Sequence, residues 1–348
     1  MSCLLLTFAL NPLGENVLQP DIRSPAAIVI DFDTGEVLFE QNSNEPRHPA
    51  SMTKSMTAFI VYEEIARGNL TLDTLVPISE NAARISTGAR YQGIRFPLNA
   101  GAEHTVDTLL HLTMVVSSNA APVALAEFIS GTEEAFVEKM NETARELGMW
   151  SEFQNAHGAV DGIGHLTDAY SMARLVYEFI HRYPDILRIT SRGSFEFQGS
   201  TVYNTNLLLR TRPLRGADGF KTGTTIAAGR NLSSTAYRDG SRVIAVQMGA
   251  PSQQSRYDDS YALLEFGFLE VSRRDAFAAL PEQKRLELLR LEQQWQEALR
   301  QEVLASRIRL IFVRNLCGGH NAAGSYACRA HHPDGAICFP RILFGKYI

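Results

Sequence analysis

The sequence is short of several things, and each shortage removes a class of explanation. No stretch reaches the roughly 18 apolar residues that a membrane-crossing helix requires, so the chain as given does not read as a spanning protein. Its net charge is −5, without long like-charged blocks. Phosphate binding needs a clustered basic surface, and nucleic acid is therefore not an expected partner. Cysteine is absent between positions 4 and 316, the four present being Cys3, Cys317, Cys328 and Cys338. The fold of that stretch then depends on neither a disulfide nor a thiolate-held metal. Lysine is scarce as well: of 33 basic residues only 5 are lysine, namely Lys54, Lys139, Lys221, Lys284 and Lys346. Arginine stays charged at any working pH, whereas lysine can be brought towards neutrality by burial or a second cation and then act as a base. A lysine inside a chemical motif accordingly carries weight.

What is present is 45% hydrophobic sequence over 348 residues, enough for one large globular domain or two modest ones. Ala27-Ile28-Val29-Ile30 and Val37-Leu38-Phe39, joined by Asp33-Thr34-Gly35, read as a hairpin. After Pro46 and Pro49 the spacing predicts a helix over Met52 to Ala66, with Gly68 just past its end. Val106 to Leu147 is mostly helical, interrupted at Ser117-Ser118-Asn119 and at Gly131, and stopped by Gly148. Residues 155 to 165 are glycine-rich without periodicity and read as a loop before a helix over Thr167 to His181. Leu232 to Tyr237 and Val243 to Met248 form a second hairpin around Arg238-Asp239-Gly240-Ser241. Strands at both ends with helices between them predict an α+β fold: one mixed, mainly antiparallel sheet, covered by helices, with an inserted helical subdomain.

Beyond residue 273, Leu288, Leu291, Trp295, Leu299 and Val303 recur at steps of three and four, predicting a long amphipathic helix from Pro281 to about Ser306. Three uses are open to it: lying on the domain, pairing with another helix, or associating peripherally with a membrane through 281–306.

Three short motifs carry chemistry. Pro49-Ala50-Ser51-Met52-Thr53-Lys54 puts a serine and a lysine at i and i+3 on one face of a first helical turn, where their side chains meet. A serine hydroxyl is a weak nucleophile until a base takes its proton, and a buried lysine beside a second cation is such a base. The helix N-terminus also presents free N–H groups to a developing oxyanion. The bland alternative is an N-capping Ser51 and a surface Lys54. Ser117-Ser118-Asn119 places a hydroxyl and an amide at a helix break, which alone signals little more than a turn. Asp218-Gly219-Phe220-Lys221-Thr222-Gly223-Thr224 reads as a strand where Gly223 permits close backbone approach by a ligand.

The order S-x-x-K, S-x-N, K-T-G is the motif set known from penicillin-binding proteins and class A β-lactamases. From about Ala26 to Phe268 the sequence resembles the low-molecular-mass penicillin-binding proteins that are serine-type D-alanyl-D-alanine carboxypeptidases. Asn155-Ala156-His157-Gly158-Ala159-Val160-Asp161 through Gly164-His165, and Asn204-Thr205-Asn206-Leu207-Leu208, extend the resemblance. It implies that Ser51 is acylated, that Lys54 is its general base, that Ser117 relays protons and that Asn119 holds a substrate amide. Lys221, Thr222, Gly223 and Thr224 would bind substrate around its terminal carboxylate, with the Ser51 and Thr224 backbone N–H groups as the oxyanion hole. The implied partners are a peptidoglycan stem peptide ending in D-Ala-D-Ala and β-lactam antibiotics as covalent inhibitors; no metal or other cofactor is implied. Two positions depart from the family's pattern: Thr224 replaces a histidine found in close relatives, and Thr205 stands where some have arginine. The second removes a carboxylate anchor for which Arg210, Arg212 or Arg230 would compensate.

Rival readings are a serine β-lactamase or D,D-endopeptidase of the same fold, a binder of cell-wall peptide or penicillin that does not turn over, and a metallopeptidase using His157, Asp161 and His165. A class A β-lactamase deacylates through a glutamate between S-x-N and K-T-G, and Glu152 lacks its context. Glycines at 158, 162 and 164 break the helix that a metal triad at steps of four would need.

The expected organisation is a partial signal-like segment over 1–21, a catalytic domain over 22–272, an amphipathic extension over 273–310 and a poorly ordered tail over 311–348. The apolar run Leu4 to Leu10 lacks a basic residue ahead of it, giving an incomplete export signal and an expected extracytoplasmic location. In the tail, Cys317, His320, Cys328, His331, His332 and Cys338 follow no zinc-site spacing and are read as an incidental extension.

Overall fold

The computed structural model describes residues 19–87, 97–160 and 164–316. The signal-like run, Asp161 and the Cys/His tail lie outside them. The chain divides at Ala276 into two units. In the first, β1 (Ala26–Asp31) and β2 (Val37–Gln41) form a hairpin, and a 3-10 turn over Ala50–Thr53 leads into α1 (Lys54–Ala66). Next come β3 (Leu75–Pro77), α2 (Glu80–Thr87), β4 (Glu103–Thr105), α3 (Val106–Met114), α4 (Ala120–Ser130), α5 (Glu133–Glu146), α6 (Ala169–Arg182) and α7 (Leu187–Thr190). A small hairpin of β5 (Ser194–Phe197) and β6 (Ser200–Tyr203) precedes β7 (Ala217–Thr225), β8 (Gly229–Arg238), β9 (Ser241–Ala250) and α8 (Gln253–Ala278).

The main sheet has the order β2-β1-β9-β8-β7, so both chain ends build it. Every pairing in it is antiparallel. The expected mainly antiparallel sheet is antiparallel throughout, with β7, β8 and β9 following one another through tight turns that join antiparallel neighbours. All six residues of β1 are buried, the pattern of a strand covered on both faces. One cover is α6, whose Phe179 meets Phe59 of α1 and Phe220 of β7 edge-on at 5.4 and 5.6 Å. The other is α8, where a Cβ on Gly267 would stand 2.5 Å from Val243 and 2.8 Å from Val29. No side chain fits there, so helix and sheet meet backbone to side chain.

Threonine and aspartate start three of the helices between β2 and β7. Thr105 accepts from the Thr108 N–H ahead of α3, Thr132 from Ala135 ahead of α5, and Asp168 from Ser171 ahead of α6. Each cap satisfies an otherwise orphaned donor for about 1 kcal/mol. α1 is buried from Lys54 to Glu64 and α4 from Ala120 to Ala126.

The sequence reading did not anticipate α8 as a helix, and it placed a domain boundary at residue 272. That boundary is corrected: α8 continues unbroken through 272 to Ala278, with Leu263, Leu264, Phe266 and Val271 buried along it. In the second unit, α9 runs from Glu282 to Leu316, ten residues beyond the expected end. It exposes Leu286, Leu289, Leu291, Trp295, Val303 and Leu304. Among the described residues no helix is long and apolar enough to cross a membrane.

Candidate active site

A cleft of about 530 Å³ opens beside β7, the edge strand of the main sheet. Ser51 sits at its floor in the 3-10 turn that precedes α1, and Lys54 is the first residue of α1 proper. Ser51 is not an N-cap, since neither that turn nor α1 has a capping side chain. Lys54 is no surface residue either: it has 0% exposure. Its Nζ lies 2.8 Å from Ser51 Oγ, 2.9 Å from Asn119 Oδ1 and 2.5 Å from the His157 carbonyl oxygen. Desolvation pushes its pKa well below the usual lysine value, and the charge of Lys221 pushes the same way. Burying an isolated ammonium costs several kcal/mol even after relaxation, so losing the proton is the cheaper outcome.

Asn119 occupies the N-cap position of α4 but makes no capping bond there; its amide oxygen is turned to Lys54. The neighbouring Ser118 takes over the capping, accepting from Ala121 N–H at 3.3 Å. Ser117 holds a left-handed backbone at φ 63° and lines the cleft. For a non-glycine residue that geometry costs of order 1–3 kcal/mol and is kept where the surroundings enforce it.

Alternation along β7 sorts the K-T-G motif into two faces. Thr222, itself buried, and the exposed Thr224 line the cleft, whereas the buried Lys221 and Gly223 belong to the other face. Lys221 donates to the Thr222 carbonyl at 3.1 Å, and burial, reinforced by the charge of Arg256, brings its pKa down to about 7. A Cβ on Gly223 would stand 2.7 Å from the Pro49 carbonyl oxygen and 3.2 Å from Met52, so the close approach this glycine permits on that side is by the turn carrying Ser51.

The proposed compensating arginines are mostly occupied elsewhere. Arg212 pairs with Asp258 at 2.7 Å, and Arg230 donates to the Pro251 carbonyl. Arg210 reaches the cleft wall, but its guanidinium lies 4.4 Å from the centre of the Tyr203 ring and donates to the Asn204 carbonyl. Thr205 Oγ1, in place of an arginine, stands 2.7 Å from Thr222 Oγ1. The cation that does enter is Arg256, on the first turn of α8, 6% exposed and donating to Thr224 Oγ1 at 3.1 Å. The sequence reading missed it: among 28 arginines nothing local distinguishes a residue brought to the site by a helix that follows the last strand.

His157 and His165, considered as metal ligands, have structural partners. His165 Nε2 is 2.8 Å from Thr53 Oγ1 and its Nδ1 accepts from Gln154 N–H. His157 Nδ1 accepts from Ala159 N–H. No group of three metal-ligating side chains converges among the described residues.

An all-antiparallel sheet packed between helices, with a serine and a desolvated lysine at the foot of its edge strand, is the architecture of the penicillin-recognising serine enzymes. The family model for D-alanyl-D-alanine carboxypeptidase matches residues 14–252, and the chain belongs to that family. It is 36% identical over 275 residues to the D-alanyl-D-alanine carboxypeptidase DacF of Bacillus subtilis, covering 76% of this chain and 68% of that protein. It is 34% identical to DacC of Escherichia coli, covering 73% and 63%. The chain thus spans about two thirds of the length of these relatives. The solved D-alanyl-D-alanine carboxypeptidase DacD of Francisella tularensis superposes with a TM-score of 0.66 at 33% identity, covering 72% of each chain. A Listeria monocytogenes penicillin-binding protein in its ampicillin-bound form gives a TM-score of 0.63 at 30% identity, covering 72% of this chain and 100% of that one.

Proposed function

We propose that the protein removes the terminal D-alanine from peptidoglycan stem peptides ending in D-Ala-D-Ala, and that β-lactams acylate the same serine. One observation carries the reading. A neutral lysine amine has two hydrogens and one lone pair, and Lys54 Nζ has three neighbours: two carbonyl oxygens, from Asn119 and His157, and Ser51 Oγ. As the ammonium it donates to all three, Ser51 Oγ included. Once that proton is lost the two carbonyls, which can only accept, keep the two hydrogens and the lone pair falls to Ser51 Oγ, so the same three contacts serve a base that receives the serine proton.

In the resulting sequence Ser51 Oγ attacks the carbonyl carbon of the penultimate D-alanine as its proton passes to Lys54. The oxyanion is held by the backbone N–H groups of Ser51 and Thr224. The C–N bond breaks, the leaving amine takes the proton from Lys54 by way of Ser117, and water hydrolyses the ester. Thr222, Thr224 and Arg256 supply donors for the terminal carboxylate, and the charges of Arg256 and of the buried Lys221 attract it. With a β-lactam the same attack opens the ring, but the leaving amine stays tethered. Stem peptides lie outside the cytoplasmic membrane, so this reading carries an extracytoplasmic site of action.

The test is intact mass after incubation with benzylpenicillin, followed by peptide mapping. One adduct on Ser51, absent from Ser51→Ala, is expected. An adduct on Ser55, Ser117 or Ser118 contradicts the assignment.

A further inference from the structure

We propose that Glu133 is a positioning residue for the general base, acting through the loop 155–158, an inference that rests on the Ser51–Lys54 reading above. Glu133 opens α5, remote in sequence from all three motifs, and its side chain is only 16% exposed. Its Oε1 accepts the Ala156 N–H at 2.9 Å and lies 4.0 Å from His157 Nε2. The carbonyl of the following residue, His157, is the one 2.5 Å from Lys54 Nζ.

The loop is fixed on its other sides. Asn155 Oδ1 accepts from the Gly158 N–H at 2.6 Å and from the His157 N–H at 3.2 Å, and Thr57 Oγ1 of α1 donates to the Ala156 carbonyl at 2.7 Å. His157 Nδ1 accepts from Ala159, which leaves the imidazole hydrogen on Nε2, the edge facing Glu133. The two peptide planes that meet at Ala156 are therefore both held, 155–156 through its N–H by Glu133 and 156–157 through its C=O by Thr57. The plane after them carries the His157 carbonyl, and its direction follows from theirs. If the carbonyl turns away, Lys54 Nζ loses one of the two acceptors that orient its lone pair towards Ser51, and proton transfer is sensitive to misplacement on the ångström scale.

The function needs an acceptor of the right reach, not a charge. Glutamine retains the oxygen at the same distance from the backbone; aspartate retains the charge but is shorter by one methylene. An electrostatic role, in which a carboxylate tunes the lysine at a distance, predicts the reverse ranking.

The experiment is stopped-flow acylation by a chromogenic β-lactam, separating the pre-acylation dissociation constant from the acylation rate constant, on wild type, Glu133→Gln, Glu133→Asp and Glu133→Ala. The glutamine variant should acylate within about threefold of wild type. The alanine and aspartate variants should fall roughly tenfold to a hundredfold in the rate constant, with the dissociation constant within twofold. Wild-type rates in the alanine variant, a slow glutamine beside a normal aspartate, or losses confined to the dissociation constant or to the folded fraction would each overturn the proposal. Absence of a Ser51 adduct in wild type would instead defeat the reading beneath it.

Discussion

Lys54 Nζ lies 2.8 Å from Ser51 Oγ across one turn of chain, and the lysine is fully buried. Its proximity follows from the i, i+3 spacing. Its chemistry follows from desolvation and from Lys221, which together favour the unprotonated amine.

Acylation should therefore rise with pH on the acid side as Lys54 loses its proton. A group whose pKa is depressed in the folded enzyme is available as a base at a lower pH than a free lysine. Lys221, with a pKa of about 7, loses its charge above that value and weakens carboxylate attraction, so kcat/KM in the free enzyme should be bell-shaped. Lys54→Arg should lose roughly a hundredfold to ten-thousandfold, the worth of general-base catalysis, because arginine does not deprotonate. Near-normal acylation by that variant would remove the lysine from the base role.

Arg256→Gln should lower kcat/KM for a carboxylate-ended substrate by roughly tenfold to a hundredfold, the value of a charge-assisted hydrogen bond of about 1.5–3 kcal/mol. It should also move the basic limb upward, since the Arg256 charge helps hold the Lys221 pKa down. A pH–rate series on peptide substrate checks both; an unchanged basic limb would separate the two cations.

The S-x-x-K and S-x-N motifs, the two hairpins, the building of one sheet from both chain ends and the helical insertion were legible in the sequence, because local rules act on them. Helix spacing puts Ser51 beside Lys54, and glycines at 131 and 148 punctuate the helices of the insertion. Arg256, Glu133 and the His157 carbonyl were not legible. Arg256 reaches Thr224 across 32 positions, and Glu133 reaches Ala156 across 23. Such contacts are set by packing between elements, and a backbone carbonyl has no residue type to announce it. Gly223 was legible as a close approach, and on one side that approach is by the Pro49 carbonyl.

Gly158→Ala should be strongly destabilising. Gly158 has φ +66°, and a Cβ there would stand 2.0 Å from the Ala50 carbonyl oxygen, so backbone must move against backbone beside the nucleophile. The cost is roughly 2–5 kcal/mol, measured as a lower urea midpoint at unchanged slope. Acylation of the folded fraction should fall as well. A wild-type midpoint would mean that the loop yields freely at this position.

The central claim is that this cleft cleaves after a penultimate D-alanine and recognises a free carboxylate, and the release of D-alanine tests it most directly. Two peptides with the same sequence, one ending in D-Ala-D-Ala as the acid and the other as the amide, should differ by roughly tenfold to a hundredfold in kcat/KM in favour of the acid. Ser51→Ala should release nothing from either. Equal turnover of acid and amide, preference for an internal cross-link over the terminal bond, or D-alanine release that survives Ser51→Ala would contradict the account.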